Sequence, residues 1–381
     1  MGPSAVFPLA TLVYLSLDWV REIGPRQQGI EMKLGMPISY EGDFRQTIDN
    51  LLDFEGAGVD RVMIPEAYGF DAVSQMGYAA AKTERLELAF GILPMYSRTP
   101  TNLAMTAAGI DYVSDGRCVL GIGASGPQVI EGFHGVRYDA PLGRAREHVE
   151  ICRKIWRRER SEYNGTYYKL PLTKEDGGSG LGKPLKMINS PVRERIPILL
   201  AAIGLKNVEL AAEIFDEWQP FLFQPDLVDK AFGESLSAGR AKRDPSLGDL
   251  GIAVQTTALI TDDKAAEAYA LEAVRQHAAL YIGGMGARGR NYYNALAIRY
   301  GYVDEARVIQ DFYLDGKKSE AAEAVPIELA RSMSLIGPAG YVKERVDAYA
   351  AAGVTCLLAS PVADTHAERV NQMSRLKEFA G

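Results

Sequence analysis

Several residues able to bind or react stand directly after short apolar runs. Arg61 to Pro65 is followed by Glu66-Ala67-Tyr68, and Leu86 to Gly91 continues through Ile92-Leu93-Pro94 to Tyr96, Ser97 and Arg98. Cys118 to Gly123 leads into Ala124-Ser125-Gly126-Pro127-Gln128, and Ile198 to Ala202 turns through Ile203 and Gly204 into Leu205-Lys206-Asn207. Glu66 is the carboxylate at a run's end in this set, which suits it to proton transfer or to anchoring a polar group. An ion-paired glutamate would occupy the same place equally well. Gly204 opens a helical pattern, where free N–H groups and the helix dipole favour a phosphate and Lys206 adds a cation. By itself such a turn is more often plain glycine geometry beside a solvated lysine. Gly121, Gly123 and Gly126 let the backbone approach a flat ligand, or simply close a tight turn. The lone Gly-x-Gly lacks the acidic partner of a dinucleotide-binding fold.

Other chemistries have less support. His134, His148, His277 and His366 are scattered, and structural or surface roles are expected of all four. Metal-ligand spacing, a nucleophile elbow and a Ser/His/Asp set are absent from the sequence. Cys118, Cys152 and Cys356 lie far apart in apolar periodic segments, which argues against a disulfide framework or zinc site and suits a reducing cytoplasm. Tyr292, Tyr293 and Tyr300, at helical spacing, read as packing residues, one of which the surrounding segment could press onto a ligand.

The elements that must position these residues alternate along the chain. Candidate strands are Lys33 to Ile38, Arg61 to Pro65, Leu86 to Gly91, Cys118 to Gly123, Ile198 to Ala202, Trp218 to Phe223, Ile252 to Ile260 and Thr355 to Ala359. Between them, apolar positions recur at three and four over Phe44 to Glu55, Thr101 to Ser114, Gly143 to Arg157, Leu205 to Phe215 and Tyr341 to Ala352. Helix stops are expected at Gly56, Gly58, Gly116 and Gly353. This rhythm predicts a (β/α)8 TIM barrel, because closure leaves no edge strand exposed. Function in such a barrel sits where the strands end. Two stretches break the rhythm. Ser161 to Arg195, rich in glycine, reads as a long strand-to-helix excursion or lid, and Ala265 to Ser332 as a mostly helical insertion interrupted by Gly283-Gly284-Met285-Gly286. Met1 to Glu31 is treated as an appendage, with Met32 a plausible alternative start, and Met32 to Gly381 as one barrel domain.

Of the 381 residues 47% are hydrophobic and 24% charged, enough for a large core. The net charge of −7 comes from interspersed acids and bases, so no footprint for nucleic acid or an anionic membrane is visible. The apolar stretch Ala5 to Leu17, interrupted by Pro8, is too short to span a bilayer. A small-molecule partner is expected.

Taken together, Gly91-Ile92-Leu93-Pro94-Met95-Tyr96-Ser97-Arg98-Thr99-Pro100, Asp115-Gly116-Arg117-Cys118-Val119-Leu120-Gly121-Ile122-Gly123 and Ile198 to Asn207 resemble the luciferase-like oxidoreductases, in the branch that uses coenzyme F420. The likeness extends over Met32 to Gly381 and includes the ending Leu335-Ile336-Gly337-Pro338 with Ala351-Ala352-Gly353-Val354. It implies a coenzyme across the strand ends, F420 or alternatively FMN, and commonly a homodimer. It also implies a non-prolyl cis peptide at Gly91-Ile92 behind the ring system, and a phosphate held by Ala202, Ile203, Gly204, Leu205, Lys206 and Asn207. Gly123, Ala124, Ser125 and Gly126 would line the same coenzyme. Two departures matter. Relatives that oxidise alcohols or sugars carry an acidic residue followed by histidine after the second strand, where this chain has Glu66-Ala67. Some place a carboxylate after the fourth strand, where this chain reads Ser125-Gly126-Pro127. The resemblance therefore points to hydride delivery to an electron-poor substrate, with Glu66 managing the proton, helped by Tyr68 or a water. Tyr68, Tyr96, Arg98 and Gln128 are the expected substrate contacts. The other readings are an FMN-dependent monooxygenase of the same superfamily and a non-catalytic flavin-binding barrel.

Overall fold

Short runs of Leu, Ile, Val, Ala and Met form strands that are buried on both faces, the pattern of a parallel sheet covered by helices. A computed structural model describes residues 32–39 and 42–381; the expected appendage lies outside the described residues. The strands are β1 (Lys33–Pro37), β2 (Arg61–Ile64), β3 (Glu87–Phe90), β4 (Cys118–Gly123), β5 (Ile198–Ala201), β6 (Glu217–Gln219), β7 (Gly251–Ile260) and β8 (Cys356–Pro361). Each pairs in parallel with the next, and β8 pairs with β1, so the barrel closes. All eight expected runs are barrel strands, with ends shifted by a residue or two except in the sixth, which stops at Gln219, four residues before the expected Phe223.

The period of two sorts the side chains. Met63, Ala89, Val119, Leu199, Ala253, Cys356 and Leu358 fill the barrel interior, while their neighbours Val62, Ile64, Leu88, Phe90, Leu120, Ile122, Ile198 and Leu200 face the helices. Where the strands begin, buried Arg61 forks onto Glu217 at 2.5 and 2.8 Å and reaches Glu87 at 2.9 Å. That ion cluster plugs the end opposite the mouth. All three cysteines are free and buried; burial pushes the Cys152 and Cys356 thiols up to about 12, so neither is a reactive thiolate.

Helices start where the sequence supplies caps. Thr99 accepts the Asn102 N–H ahead of Pro100–Val113, with Pro100 in the first turn, and Thr365 with Glu368 forms a capping box for His366–Ala380. Gly58, Gly116 and Gly353 take left-handed φ after helices, whereas Gly56 is itself the last residue of the helix Leu51–Gly56.

The two irregular stretches differ in where they leave the barrel. The 161–195 excursion follows the helix Pro141–Trp156 and precedes β5. It is thus a helix-to-strand connection, not the expected strand-to-helix one, and departs from the end opposite the mouth. Its short hairpin, Tyr163–Asn164 with Lys169–Leu170, climbs back along that helix. There the Glu147 carboxylate accepts the N–H groups of Thr166, Tyr167 and Tyr168. The second insertion follows β7, on the mouth side. It runs through the helices Lys264–Ala279, Tyr292–Tyr300, Val303–Leu314, Lys318–Glu323 and Ile327–Ser332 and has a hydrophobic core of its own. A π-helical turn, Leu280–Gly284, joins the first two; a Cβ on Gly283 or Gly284 would lie 2.4 Å from the Tyr313 side chain, so only glycine permits this packing.

Candidate active site

At the mouth the chain leaves β3 through a cis peptide between Gly91 and Ile92, and Leu93–Pro94 pairs beside the end of β4. Three glycines make this crossing possible. A Cβ on Gly91 would meet Met63 Cγ at 2.2 Å, one on Gly121 would meet the Phe90 carbonyl oxygen at 1.8 Å, and one on Gly123 would lie 3.0 Å from Ile92 Cδ1 and 3.6 Å from Ala201 Cβ. Ile92, Gly123 and Ala201 therefore form one flat apolar floor across the ends of three neighbouring strands. Ala124 is half-buried beside it; Ser125 turns the chain at φ 56° and Gly126 precedes the short helix Pro127–Ile130. Gln128 is exposed on that helix, its side-chain oxygen folded back toward Gly126.

The floor continues to the start of the helix Leu205–Ile214. Gly204 provides no side-chain cap, and the first backbone bond in the helix is Val208 N–H to the Gly204 carbonyl. The N–H groups of Leu205, Lys206 and Asn207 are thus the orphan donors every helix start carries, and they suit an anion. The Ile203 carbonyl accepts Arg299 at 2.9 Å, and the Ala202 carbonyl accepts the Trp218 indole N–H at 2.8 Å. Lys206 does not reach over this start. Its ammonium, on a side chain 79% exposed, donates to Glu209 at 2.8 Å, and Lys242 holds the same carboxylate at 2.5 Å. These two hydrogen bonds hold the Glu209 carboxyl at about 2. Lys206 contributes charge to the neighbourhood and is otherwise committed.

Glu66 and Arg98 are brought together. Arg98 donates to both Glu66 oxygens, at 2.5 and 2.9 Å, and Glu66 also accepts the Ala72 N–H at 2.9 Å. The side chains are only 8% and 15% exposed. A bidentate fork of this kind is strong and directional. It ties the loops after β2 and β3 to the start of the helix Ala72–Lys82. Tyr96 donates its hydroxyl to the Asp139 carbonyl at 2.6 Å, and burial keeps its phenol protonated. Its ring, with Tyr167 and Tyr168 of the excursion, surrounds the Arg144 guanidinium at 5.3 to 5.7 Å. Of the expected substrate contacts, Tyr68 stands open at the mouth, facing Phe133 at 6.3 Å, while Tyr96 and Arg98 are engaged with protein.

Of a second group, the sequence singles out Tyr293, as a packing residue that could meet a ligand, and His277, as structural or surface, but neither Phe221 nor Tyr281. Phe221, just past β6, packs at 4.4 Å on Tyr281, at 5.5 Å on Tyr293 and at 5.7 Å on His277, all three from the insertion. Tyr292 approaches the Gly204 position, whereas Tyr300 is buried as packing. The aromatic spacing within the insertion was a signal, but Phe221 was needed to show which way it faces. Of the remaining histidines, His148 is buried, with Nδ1 2.8 Å from the Arg144 carbonyl, and His366 pairs with Asp53 at 2.7 Å. Among the described residues no group of three or more metal-ligating side chains occurs.

The model of the luciferase-like monooxygenase family matches residues 30–356. A Mycobacterium tuberculosis protein with the provisional name coenzyme F420-dependent oxidoreductase is 39% identical over 352 residues, 91% of this chain and 99% of its own. The 5,10-methylenetetrahydromethanopterin reductase of Archaeoglobus fulgidus is 28% identical over 316 residues, 81% of this chain and 87% of its own. Among solved structures, the coenzyme F420-dependent tetrahydromethanopterin reductase from Methanopyrus kandleri superposes with a TM-score of 0.73 at 20% identity, covering 90% of this chain and 97% of that one.

Proposed function

The chain belongs to the luciferase-like monooxygenase family, and on that premise we propose that it is a coenzyme F420-dependent oxidoreductase that reduces an electron-poor small molecule. The observation that carries the reading is the apolar floor of Ile92, Gly123 and Ala201, which leads to the uncapped helix start at Gly204. A flat floor beside an anion-binding helix start fits a coenzyme with a planar ring and a phosphate-bearing chain. FMN shares both features; the deazaflavin is favoured by the name of the Mycobacterium tuberculosis relative.

When bound, the reduced coenzyme supplies a hydride, and the hard chemistry is its own. The protein's part is placement. Ile92, Gly123 and Ala201 would hold one face of the ring and keep water from it, and the N–H groups of Leu205 to Asn207 would hold the anionic chain. Both Glu66 oxygens are taken by Arg98, and Ala67 offers no base beside it. Reduction of an electron-poor substrate, in which the anion left by hydride addition can take its proton from water and not from a side-chain acid, is therefore the better fit. Glu66 acts in this reading by holding the β2 and β3 loops together; any proton it exchanges must leave or arrive past Arg98. The same reading includes a homodimer.

Titration with F420 and with FMN, followed by ring absorbance or fluorescence, tests the proposal. F420 should bind more tightly, and Gly123→Leu, which fills the floor, should weaken it by at least about tenfold, or about 1.4 kcal/mol. Tighter binding of FMN would move the chain to the flavin monooxygenase reading. Equal F420 affinity for the wild type and the leucine variant would remove the floor from the coenzyme site.

A further inference from the structure

β2 and β6 lie on opposite sides of the barrel, four strands apart in its closed order. The insertion packs on the β6 side of the mouth. On the β6 side Tyr281 stacks on Phe221 at 4.4 Å, with Tyr293 4.8 Å and His277 4.9 Å from the Tyr281 ring. On the β2 side Tyr281 comes within the electrostatic influence of the Tyr68 phenol. Phe221, Tyr281 and Tyr293 are half-buried and His277 is solvent-accessible, so the group forms a wall rather than a sealed core.

The chemistry of this wall is uniform. Crowding by neighbouring atoms pushes the His277 imidazole below its ordinary value, which keeps it neutral at pH 7. The same desolvation raises the Tyr281 phenol and takes Tyr293 up to about 12, so both remain protonated donors. Beyond desolvation, these two phenols are influenced by other tyrosines, Tyr281 by Tyr68 and Tyr293 by Tyr281. A wall of neutral rings with N–H and O–H donors has nothing to balance a phosphate or carboxylate, and desolvating such an anion against it would be costly. Flat π-systems stack well there, and a lone acceptor oxygen would find a donor.

We propose that this wall is the substrate subsite, and that an uncharged, flat, conjugated carbonyl compound lies against the open side of the packed Phe221, Tyr281 and Tyr293 rings with its oxygen hydrogen-bonded by the His277 imidazole N–H. The inference rests on the oxidoreductase reading and gives it a substrate class. It sets this chain apart from enzymes that grip an anionic substrate with lysine and arginine, since the donors here are neutral.

Binding to the full-length protein without coenzyme, measured by isothermal titration, tests the wall by itself. The probes are menadione, 2-methylnaphthalene as its carbonyl-free counterpart, and glucose 6-phosphate as an anion. Menadione should bind more tightly than the hydrocarbon, and the sugar phosphate should not bind. Phe221→Ala should weaken both aromatic probes about tenfold, the scale of one lost ring contact with its buried area. His277→Leu should bring menadione down to the level of 2-methylnaphthalene and leave the hydrocarbon unchanged. Circular dichroism checks each variant; if Phe221→Ala does not fold, Tyr293→Leu serves in its place with the same expectation. Preference for glucose 6-phosphate, or menadione affinity indifferent to both substitutions, overturns the proposal. If F420 fails to bind while menadione behaves as expected, the coenzyme reading falls and the wall stands. If F420 binds and menadione ignores the substitutions, the wall falls and the coenzyme reading stands.

Discussion

Arg98 spends its guanidinium on Glu66, and that pairing decides what either residue can do. Removing one partner leaves the other desolvated and unmatched, which is more costly than losing an exposed pair. Glu66→Gln should therefore destabilise the protein by about 2–3 kcal/mol in urea unfolding. Arg98→Lys keeps the charge but loses the fork and should fall between that variant and the wild type. F420 affinity should change little in both, while turnover falls with the displaced loops. A wild-type unfolding midpoint for Glu66→Gln would show that the pair holds nothing. Glu66 was visible in the sequence because it follows an apolar run directly; its partner was not, since only the folded loops bring position 98 to position 66. The opposite holds for Lys206, whose counter-charge Glu209 stands one helical turn along and could have been read from spacing alone.

At the scale of elements, the helix Pro141–Trp156 joins the hairpin of the excursion to the mouth. Its His148 is buried against Tyr168 at a ring distance of 4.9 Å, and Glu147 one residue earlier holds the hairpin tip. Desolvation chiefly pushes the His148 imidazole below its ordinary 6.5; the nearby Arg144 carbonyl opposes this, and the Arg144 guanidinium adds to it. With the folded pKa below the unfolded one, the unfolded chain binds more protons, and stability rises with pH. This contribution is complete above about pH 6.5 and is lost as pH falls toward the lowered folded value. His277, depressed by the same cause, adds in the same direction. Melting temperatures should accordingly drop on acidification below about pH 6.5, and His148→Gln should flatten that slope. An unchanged slope would remove His148 from the transition. The helix itself was legible from its apolar spacing. The excursion's direction was not, because glycine-rich sequence marks irregular chain without saying from which end of the barrel it departs.

For the whole molecule, the barrel was the most legible feature, since parallel strands buried on both faces must be continuous apolar runs such as Val119 to Ile122. The substrate wall was the least legible, because Phe221 meets His277, Tyr281 and Tyr293 only through the packing of an insertion with its own core. The outer surface adds a feature of the same scale. On the helix Pro100–Val113, Ala104, Ala107, Ala108 and Asp111 face inward, while Met105, Tyr112 and Val113 stand 61%, 70% and 59% exposed. Seven and eight residues along a helix return to the same face, so these side chains form one apolar stripe. Three large apolar groups side by side on an isolated barrel would leave water in contact with surface that a second copy could cover, and this stripe is where the proposed homodimer should close. Sedimentation equilibrium at micromolar concentration should give twice the chain mass. Tyr112→Glu, which places a charge in the middle of the stripe, should give the single-chain mass while leaving F420 binding intact, because the helix surface lies outside the floor at Gly123 and Gly204. A wild type that sediments as one chain would end the dimer proposal, and a dimer that survives Tyr112→Glu would move its interface to another face.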